Sequence, residues 1–392
     1  MADPITPGAG VDFFNRMETA MFDTRLLRTL PKLAEPVLTA YVDVNPANPR
    51  NQGRPSGAGT WVKTQARTLA ARLPGADTKL LREQAQRIDA YIDEHLARAK
   101  SLVFFAGAGT WKVLRLQVPV DDEMYWGKPS LGQLTWILDE HRPCGILVVD
   151  RNGARFFRYW MGELVEQKEE RFEIDLTQWR RRELVTGRGV DRDSFEQRVG
   201  AQHARFFKET AARCRTWRER EGFTSVFVAG PTEAAETVWE ALPENCRAQG
   251  ALVRGLPARV TGPELLRRIE PAIETFKRHR ELEEVEALLA TGEGARASLG
   301  IDTTLTRIQH GEARRLVAAR GLRGEVRVCR QCGWVDRSAE DACPRCGGVR
   351  DSESLRTVLP ELAHARNIPV EVVAGEAAER LHAVGGLAAW LA

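Results

Sequence analysis

Residues 144–170 read CGILVVDRNGARFFRYWMGELVEQKEE. GILVVD is a continuous apolar run of strand length, the signature of a strand buried on both faces. Asn152-Gly153 is a strong hairpin signal, and ARFFRYWMG is the return strand. Downstream, SVFVAG (225–230) is a second buried strand meeting a glycine, PTEAAETVWEAL a helix, and ALVRGLPARV a last strand. Between the two buried strands lies a long, arginine-rich, helix-prone segment from Asp191 to Glu221. The order strand, helix, strand, helix, strand predicts a mixed sheet flanked by helices over residues 139–260.

On the N-terminal side, residues 11–33 read as an amphipathic helix, and PVLTAYVDV (36–44) as a β-branched strand. A Pro/Gly/Asn-rich loop follows, then helical patterns at 60–73 and 77–99. SLVFFAG and WKVLRLQVPV form two strands joined by a glycine turn. These make a first α/β domain over 1–138. On the C-terminal side, a long amphipathic helix starts near Thr261, with Pro271 as a break or kink. IPVEVVAG is a strand and 376–383 a helix, giving a third α/β domain over 261–392. The expected fold is therefore α/β in three domains.

Composition bounds the function. The chain has 392 residues, with 43% hydrophobic and 28% charged, enough for real cores. Its 57 basic and 54 acidic residues leave a net charge of +3, so any polyanion binding has to come from local clusters. There is no run of membrane-spanning length and no basic, apolar start of a secretory signal. A cytoplasmic, reducing setting follows as the expectation.

In that setting the cysteines read as metal ligands. Cys329, Cys332, Cys343 and Cys346 form two CxxC pairs ten residues apart, and each pair makes a tight knuckle that aims two thiolates at one ion. Four thiolates with no open position imply a structural zinc ribbon over 326–350. A rubredoxin-like iron site and a pair of redox CxxC motifs are the other readings. Cys144, Cys214 and Cys246 stand alone and read as packed residues.

Two further features carry candidate chemistry. Arginines crowd residues 178–220, among them Arg188, Arg192, Arg198 and Arg205, with Lys208. Guanidinium clusters bind phosphate, yet interleaved Glu and Asp fit an ordinary solvated helix face equally well. Gly200-Ala201-Gln202 lies inside this segment as a candidate loop tip. Glycine lets backbone approach a reacting centre, and glutamine positions water or an oxyanion. A helix-capping glycine is the ordinary alternative. Walker, GxGxxG, GxSxG and HExxH motifs are missing.

Three blocks in order resemble class 1 peptide-chain release factors and Pelota-like proteins of archaea and eukaryotes. PVLTAYVDVNP resembles the opening strand of their first domain. GILVVDRNGARFFRYWMGEL and SVFVAGP resemble strands of their middle domain. VEVVAGEAAERLHAVGGLAAWL resembles the close of their third, and the cysteine insert sits where some members carry a zinc minidomain. The chain is most similar to the bacterial archaeo-eukaryotic release factor families, family ten among them. The resemblance implies three domains in release-factor-like order, with the zinc ribbon inserted in the third.

It also implies a ribosome-binding translation factor acting in the A site. In the family, an apical Gly-Gly-Gln loop helps water cleave peptidyl-tRNA. GAQHARF resembles that segment, making Gly200 and Gln202 the implied catalytic tip. Ala201 departs from the pattern, since a Cβ there adds bulk and forbids most positive-φ conformations. WVKT stands where the codon-reading tetrapeptide would be, sharing only Lys63 and the Thr64 hydroxyl in kind. Stop-codon decoding is thus not expected. Lys63 and Arg67 remain candidates for contact with ribosomal RNA or mRNA. Rescue, hibernation or stress is the implied role, with peptidyl-tRNA hydrolysis as one alternative and tRNA cleavage or other RNA processing as another. An elongation-factor-type GTPase partner and a monomeric state follow from the same resemblance.

Overall fold

The computed structural model describes residues 29–53, 55–95, 99–175, 190–257 and 259–392, and the side chains of 190–195 fall outside that description. The helix expected at 11–33 lies mostly outside the described residues.

The first sheet contains β1 (Val37–Asp43), β2 (Ser101–Gly107), β3 (Thr110–Leu116) and β4 (Glu123–Gly127), all antiparallel in the order β3-β2-β1-β4. Helices α1 (Gly57–Ala70) and α2 (Gly75–His95) come between β1 and β2. Alternate residues of β1 (Leu38, Ala40, Val42) and β2 (Leu102, Phe104, Ala106) form one core with Val62, Leu81, Ile88 and Ile92 of the helices. Gly107 pairs with Thr110, so FAGAGTW is the expected hairpin turn. The Tyr41 hydroxyl donates to the Ser130 carbonyl at 2.8 Å, just ahead of α3 (Gly132–Glu140).

The middle sheet has the order β7-β6-β5-β8-β9, formed by β5 (Cys144–Asp150), β6 (Gly153–Trp160), β7 (Glu163–Arg171), β8 (Ser225–Gly230) and β9 (Gly250–Arg254). It is mixed: β5, β6 and β7 are antiparallel, while β5·β8 and β8·β9 are parallel. Helices α4 (Val190–Glu221), α5 (Thr232–Ala241) and the single turn α6 (Glu244–Arg247) lie in the crossovers. Strand β5 is buried on both faces. Leu147 and Val149 meet α4 and α5, and Ile146 and Val148 meet the next helix, α7 (Gly262–Thr291). Phe156 and Phe227 are almost fully buried, each contributing on the order of 2 kcal/mol of apolar burial.

Two turns refine the sequence reading. The β5–β6 loop is Arg151-Asn152, because Gly153 already pairs with Asp150. The Asp150 carboxylate accepts the backbone N–H groups of Asn152 and Gly153 and fixes this turn. A Cβ on Gly153 would lie 2.2 Å from the Glu170 carbonyl oxygen, so only glycine fits against β7. The left-handed turn belongs instead to β6–β7, where Met161 (φ 52°) and Gly162 (φ 78°) make a tight hairpin.

Helix α7 runs through Pro271 without a break, where a break or kink was expected. Its first half is anchored by Leu265 and Ile269 in the middle-sheet core, and its second half by Val285 and Leu288 in the last core. Burial at both ends outweighs the hydrogen bond that proline removes. The last sheet has the order β10-β16-β11-β15, from β10 (Ala297–Leu299), β11 (Ala313–Ala319), β15 (Val370–Val373) and β16 (Leu387–Leu391). Helix α8 (Ile301–His310) joins β10 to β11, and α10 (Gly375–His382) joins β15 to β16. Between β11 and β15 the chain leaves for a small antiparallel sheet, β12 (Glu325–Cys329), β13 (Val335–Asp336) and β14 (Arg350–Ser354), and for α9 (Leu355–Ala365).

By compactness the chain divides into two units: residues up to Ile137 with Arg323–Asn367, and Leu138–Leu322 with Ile368–Ala392. The cysteine-bearing excursion thus clusters with the first sheet. Trp136 Nε1 donates to the Arg356 carbonyl at 3.0 Å, and Arg356 pairs with Asp121 at 2.7 Å. Architecturally the chain is mixed α/β with several sheets. No described helix is long and apolar enough to cross a membrane.

Candidate functional site

The four cysteines at the end of β12 and in the following loops come together. Their sulfurs all lie within 4.8 Å of one another. Cys329 and Cys346 Sγ are 3.5 Å apart, and Cys332 and Cys343 Sγ 3.6 Å. Four sulfurs placed tetrahedrally ~2.3 Å from one ion would be ~3.8 Å apart, so the donor set fits a single metal. Each knuckle closes the same way. Gly333 N–H donates to the Cys329 carbonyl at 3.0 Å, and Gly347 N–H to the Cys343 carbonyl at 2.8 Å. Both glycines take positive φ, 68° and 75°, which the tight turn demands.

A residue that the spacing did not reveal holds the loop between the knuckles. The Arg350 side chain is fully buried at the start of β14. It pairs with Asp336 and donates to Ser338 Oγ at 2.8 Å and to the Glu340 carbonyl at 3.1 Å. Desolvation works against the Asp336 carboxylate, yet the Ser338 backbone N–H and Arg350 together hold it below the usual range. Trp334 Nε1 adds a 3.0 Å hydrogen bond to the same carboxylate. The strand reads RDSES, polar throughout, so nothing in the local sequence singles out Arg350 for this role. The solitary cysteines are buried, and burial pushes the Cys144 and Cys214 thiols up to about 12, away from thiolate chemistry.

The Gly200-Ala201-Gln202 stretch is not a loop tip. It lies within α4, which continues unbroken to Glu221. The reason is packing. Phe206, Phe207, Ala211, Cys214 and Trp217, at helical spacing, sit in the middle-sheet core and hold the segment helical. The Gln202 amide is occupied. Its Oε1 accepts from Asp175 N–H and its Nε2 donates to the Asp175 carbonyl, both at 3.0 Å. Next to it, His203 Nε2 meets the Arg151 carbonyl at 3.1 Å, and its ring packs on Phe172 with centroids 4.4 Å apart and the planes tilted by 35°. Gln202 and His203 therefore fasten the chain leaving β7 to the helix.

The basic candidates fall in two places. Arg198, Ala201, Arg205 and Lys208 are exposed, and their spacing puts them on one outward face of α4. Arg192 belongs to the first turns of the same helix, and Arg188 lies outside the described residues. Lys63 and Arg67 share a face of α1, where Lys63 forms a 2.8 Å ion pair with Asp89 of α2. The tetrapeptide WVKT is helical here, so it does not form a reading loop.

The surface that gathers the α4 basic face, the Gln202 clamp and the whole middle sheet coincides with a recognisable stretch. Residues 129–274 match the family model of bacterial archaeo-eukaryotic release factor family 10. The resemblance read from the sequence is thereby shown over that stretch. The uncharacterized protein YocB of Bacillus subtilis (strain 168) is 22% identical over 213 residues, which span 51% of this chain and 79% of YocB. Among solved structures, an archaeal translation termination factor, aRF1, is 18% identical, covering 96% of this chain and 97% of its own, with a TM-score of 0.24. Archaeoglobus fulgidus Pelota is 19% identical, covering 74% and 78%, with a TM-score of 0.33.

Proposed function

We propose that the chain is a translation factor of the release-factor and Pelota type that occupies the ribosomal A site without releasing the nascent peptide. Rescue, hibernation or stress is its setting, rather than stop-codon termination. The match of residues 129–274 supports the class of function. The observation that carries the non-hydrolytic reading is Gln202, held inside α4 by two hydrogen bonds to Asp175 and followed by buried Phe206 and Phe207. A glutamine that positions water needs a free amide, and freeing this one gives up both bonds at roughly 1 kcal/mol each.

In this reading Arg198, Arg205 and Lys208 on α4, with Arg188 and Arg192 before them, meet phosphates of ribosomal RNA or tRNA. Lys63 and Arg67 on α1 touch ribosomal RNA or mRNA without sequence choice. Cys329, Cys332, Cys343 and Cys346 hold one structural zinc, whose contribution is to close the ribbon. An elongation-factor-type GTPase accompanies the factor, and the chain works as a cytoplasmic monomer. The domains would then be 1–138, 139–260 and 261–392. The test is a peptidyl-tRNA release assay on stalled ribosomes with wild type and Gln202→Ala, run beside co-sedimentation. Binding without release supports the reading; release that needs Gln202 replaces it with a hydrolase.

A further inference from the structure

The inner face of α7 borders a cavity of about 640 Å³, on the side where β5 and β8 begin. That is the size of a small-molecule site. Its apolar wall is Tyr159, Phe227, Ile273 and Phe276, and Phe227 and Phe276 meet edge to face at 5.7 Å. Its polar end is Lys277 and Glu281 of α7 with Glu140 of α3.

Glu281 is only 2% exposed. Its Oε2 is saturated, accepting from Arg278 at 2.5 Å and from Ala374 N–H at 2.8 Å. Its Oε1 is buried and has no hydrogen-bond partner among the described residues. Lys277 Nζ stands 3.8 Å away, and also 3.7 Å from Glu140 Oε1. An acceptor and a donor thus sit side by side at the cavity end, too far apart to satisfy each other. A buried oxygen left without a donor costs about 1–3 kcal/mol, so the position calls for an occupant.

The charges say what kind. At this end Glu140, Glu274 and Glu281 meet Lys277, Arg278 and Arg320; along the rest of the lining Asp139 pairs with Arg142, Glu371 with Arg315, and Glu270 accepts from the Tyr159 hydroxyl. The missing group is therefore a neutral donor and not another cation. A flat group with an N–H for Glu281 beside an acceptor for Lys277, on a body suited to the apolar, aromatic wall, meets these conditions. A protein amide has the edge without the aromatic body, and an aliphatic amine has neither.

We propose that this cavity binds an adenine nucleoside, with the exocyclic amino group donating to Glu281 Oε1, ring N1 accepting from Lys277, and the base lying along Phe276 and Tyr159. The site is independent of the ribosome-binding reading, since no residue of it lies on α1 or α4.

The experiment is calorimetric titration of the full chain with adenosine and with purine riboside, which lacks the amino group. Adenosine binds, and purine riboside binds at least tenfold more weakly, the loss of one hydrogen bond to a charged group. Lys277→Met, which keeps the stem and removes the donor, weakens adenosine by a similar factor, whereas Arg205→Ala on α4 leaves it unchanged. Because Glu281 also holds Ala374, Glu281→Gln is used in place of alanine. It retains an acceptor on Ala374 and weakens adenosine, with circular dichroism confirming the fold. Three results overturn the proposal: no heat with adenosine up to millimolar concentration, equal affinity for the two nucleosides, or adenosine binding untouched by Lys277→Met.

Discussion

Replacing Gly200 with alanine separates a helix from a reactive tip. Gly200 is exposed in the interior of α4, and a Cβ built there has no heavy atom within 4 Å outside its own helical turn. Its φ is not in the left-handed region, so alanine fits without strain. The substitution therefore removes backbone freedom from the unfolded chain and adds no clash. The gain is about 1 kcal/mol, the difference between glycine and alanine in a helix interior. For a unit of this size that is ~2–4 °C in melting temperature. The assay is a urea titration of the full chain by circular dichroism, read as the shift in midpoint of the transition that contains α4. Ribosome co-sedimentation of the same variant is expected to be unchanged. A destabilisation of about 1 kcal/mol or more would refute the reasoning, because it would mean that Gly200 needs a backbone conformation only glycine adopts.

Other consequences are equally direct. Gln202→Ala removes both hydrogen bonds to Asp175 and costs about 1–2 kcal/mol, visible as faster amide exchange at Asp175 and no change in ribosome association. One zinc per chain is expected by atomic absorption, and Cys329→Ser lowers that content; a Cys329→Ser protein that keeps full zinc refutes the ribbon assignment. Arg350→Ala strands Asp336 beside a buried space and destabilises the ribbon by about 3 kcal/mol, read as zinc loss at lower chelator concentration. His141 is held down at about 4, first by burial and with Lys277 and Arg320 adding to it against Glu140. The unfolded chain binds that proton more readily, so stability is complete above the ordinary value of 6.5 and falls as pH drops toward 4. Between pH 7 and 5 the loss is about 2 kcal/mol, and His141→Gln flattens the urea midpoints over that range.

The middle sheet was legible because β5 is buried on both faces and so reads as an uninterrupted apolar run, with turn residues on either side. Within it, the β5–β6 turn falls one residue earlier than the Asn-Gly pair suggests, because the Asp150 side chain caps Arg151-Asn152. Strand β4 escaped notice since EMYWG is half-buried throughout and shows no alternation. The helical state of Gly200–Gln202 follows from Phe206, Phe207 and Trp217, whose helical spacing buries them against the middle sheet, whereas a glycine among arginines reads locally as a loop. What sequence could not show are the partners at a distance. Asp175 for Gln202, Asp336 for Arg350 and Ala374 for Glu281 are set by tertiary packing, and no local pattern encodes them. The cysteine spacing, by contrast, is local geometry, and the four sulfurs converge as it requires.

The central claim is occupancy without hydrolysis, and one measurement meets it. Stalled ribosomes carrying a labelled peptidyl-tRNA are mixed with the factor at physiological salt, pelleted, and assayed in the same tube for released peptide. The account predicts that the factor pellets with the ribosomes and that peptide release stays at the background rate for wild type and Gln202→Ala alike. Release above background that disappears in Gln202→Ala, or a factor that stays in the supernatant, would contradict it.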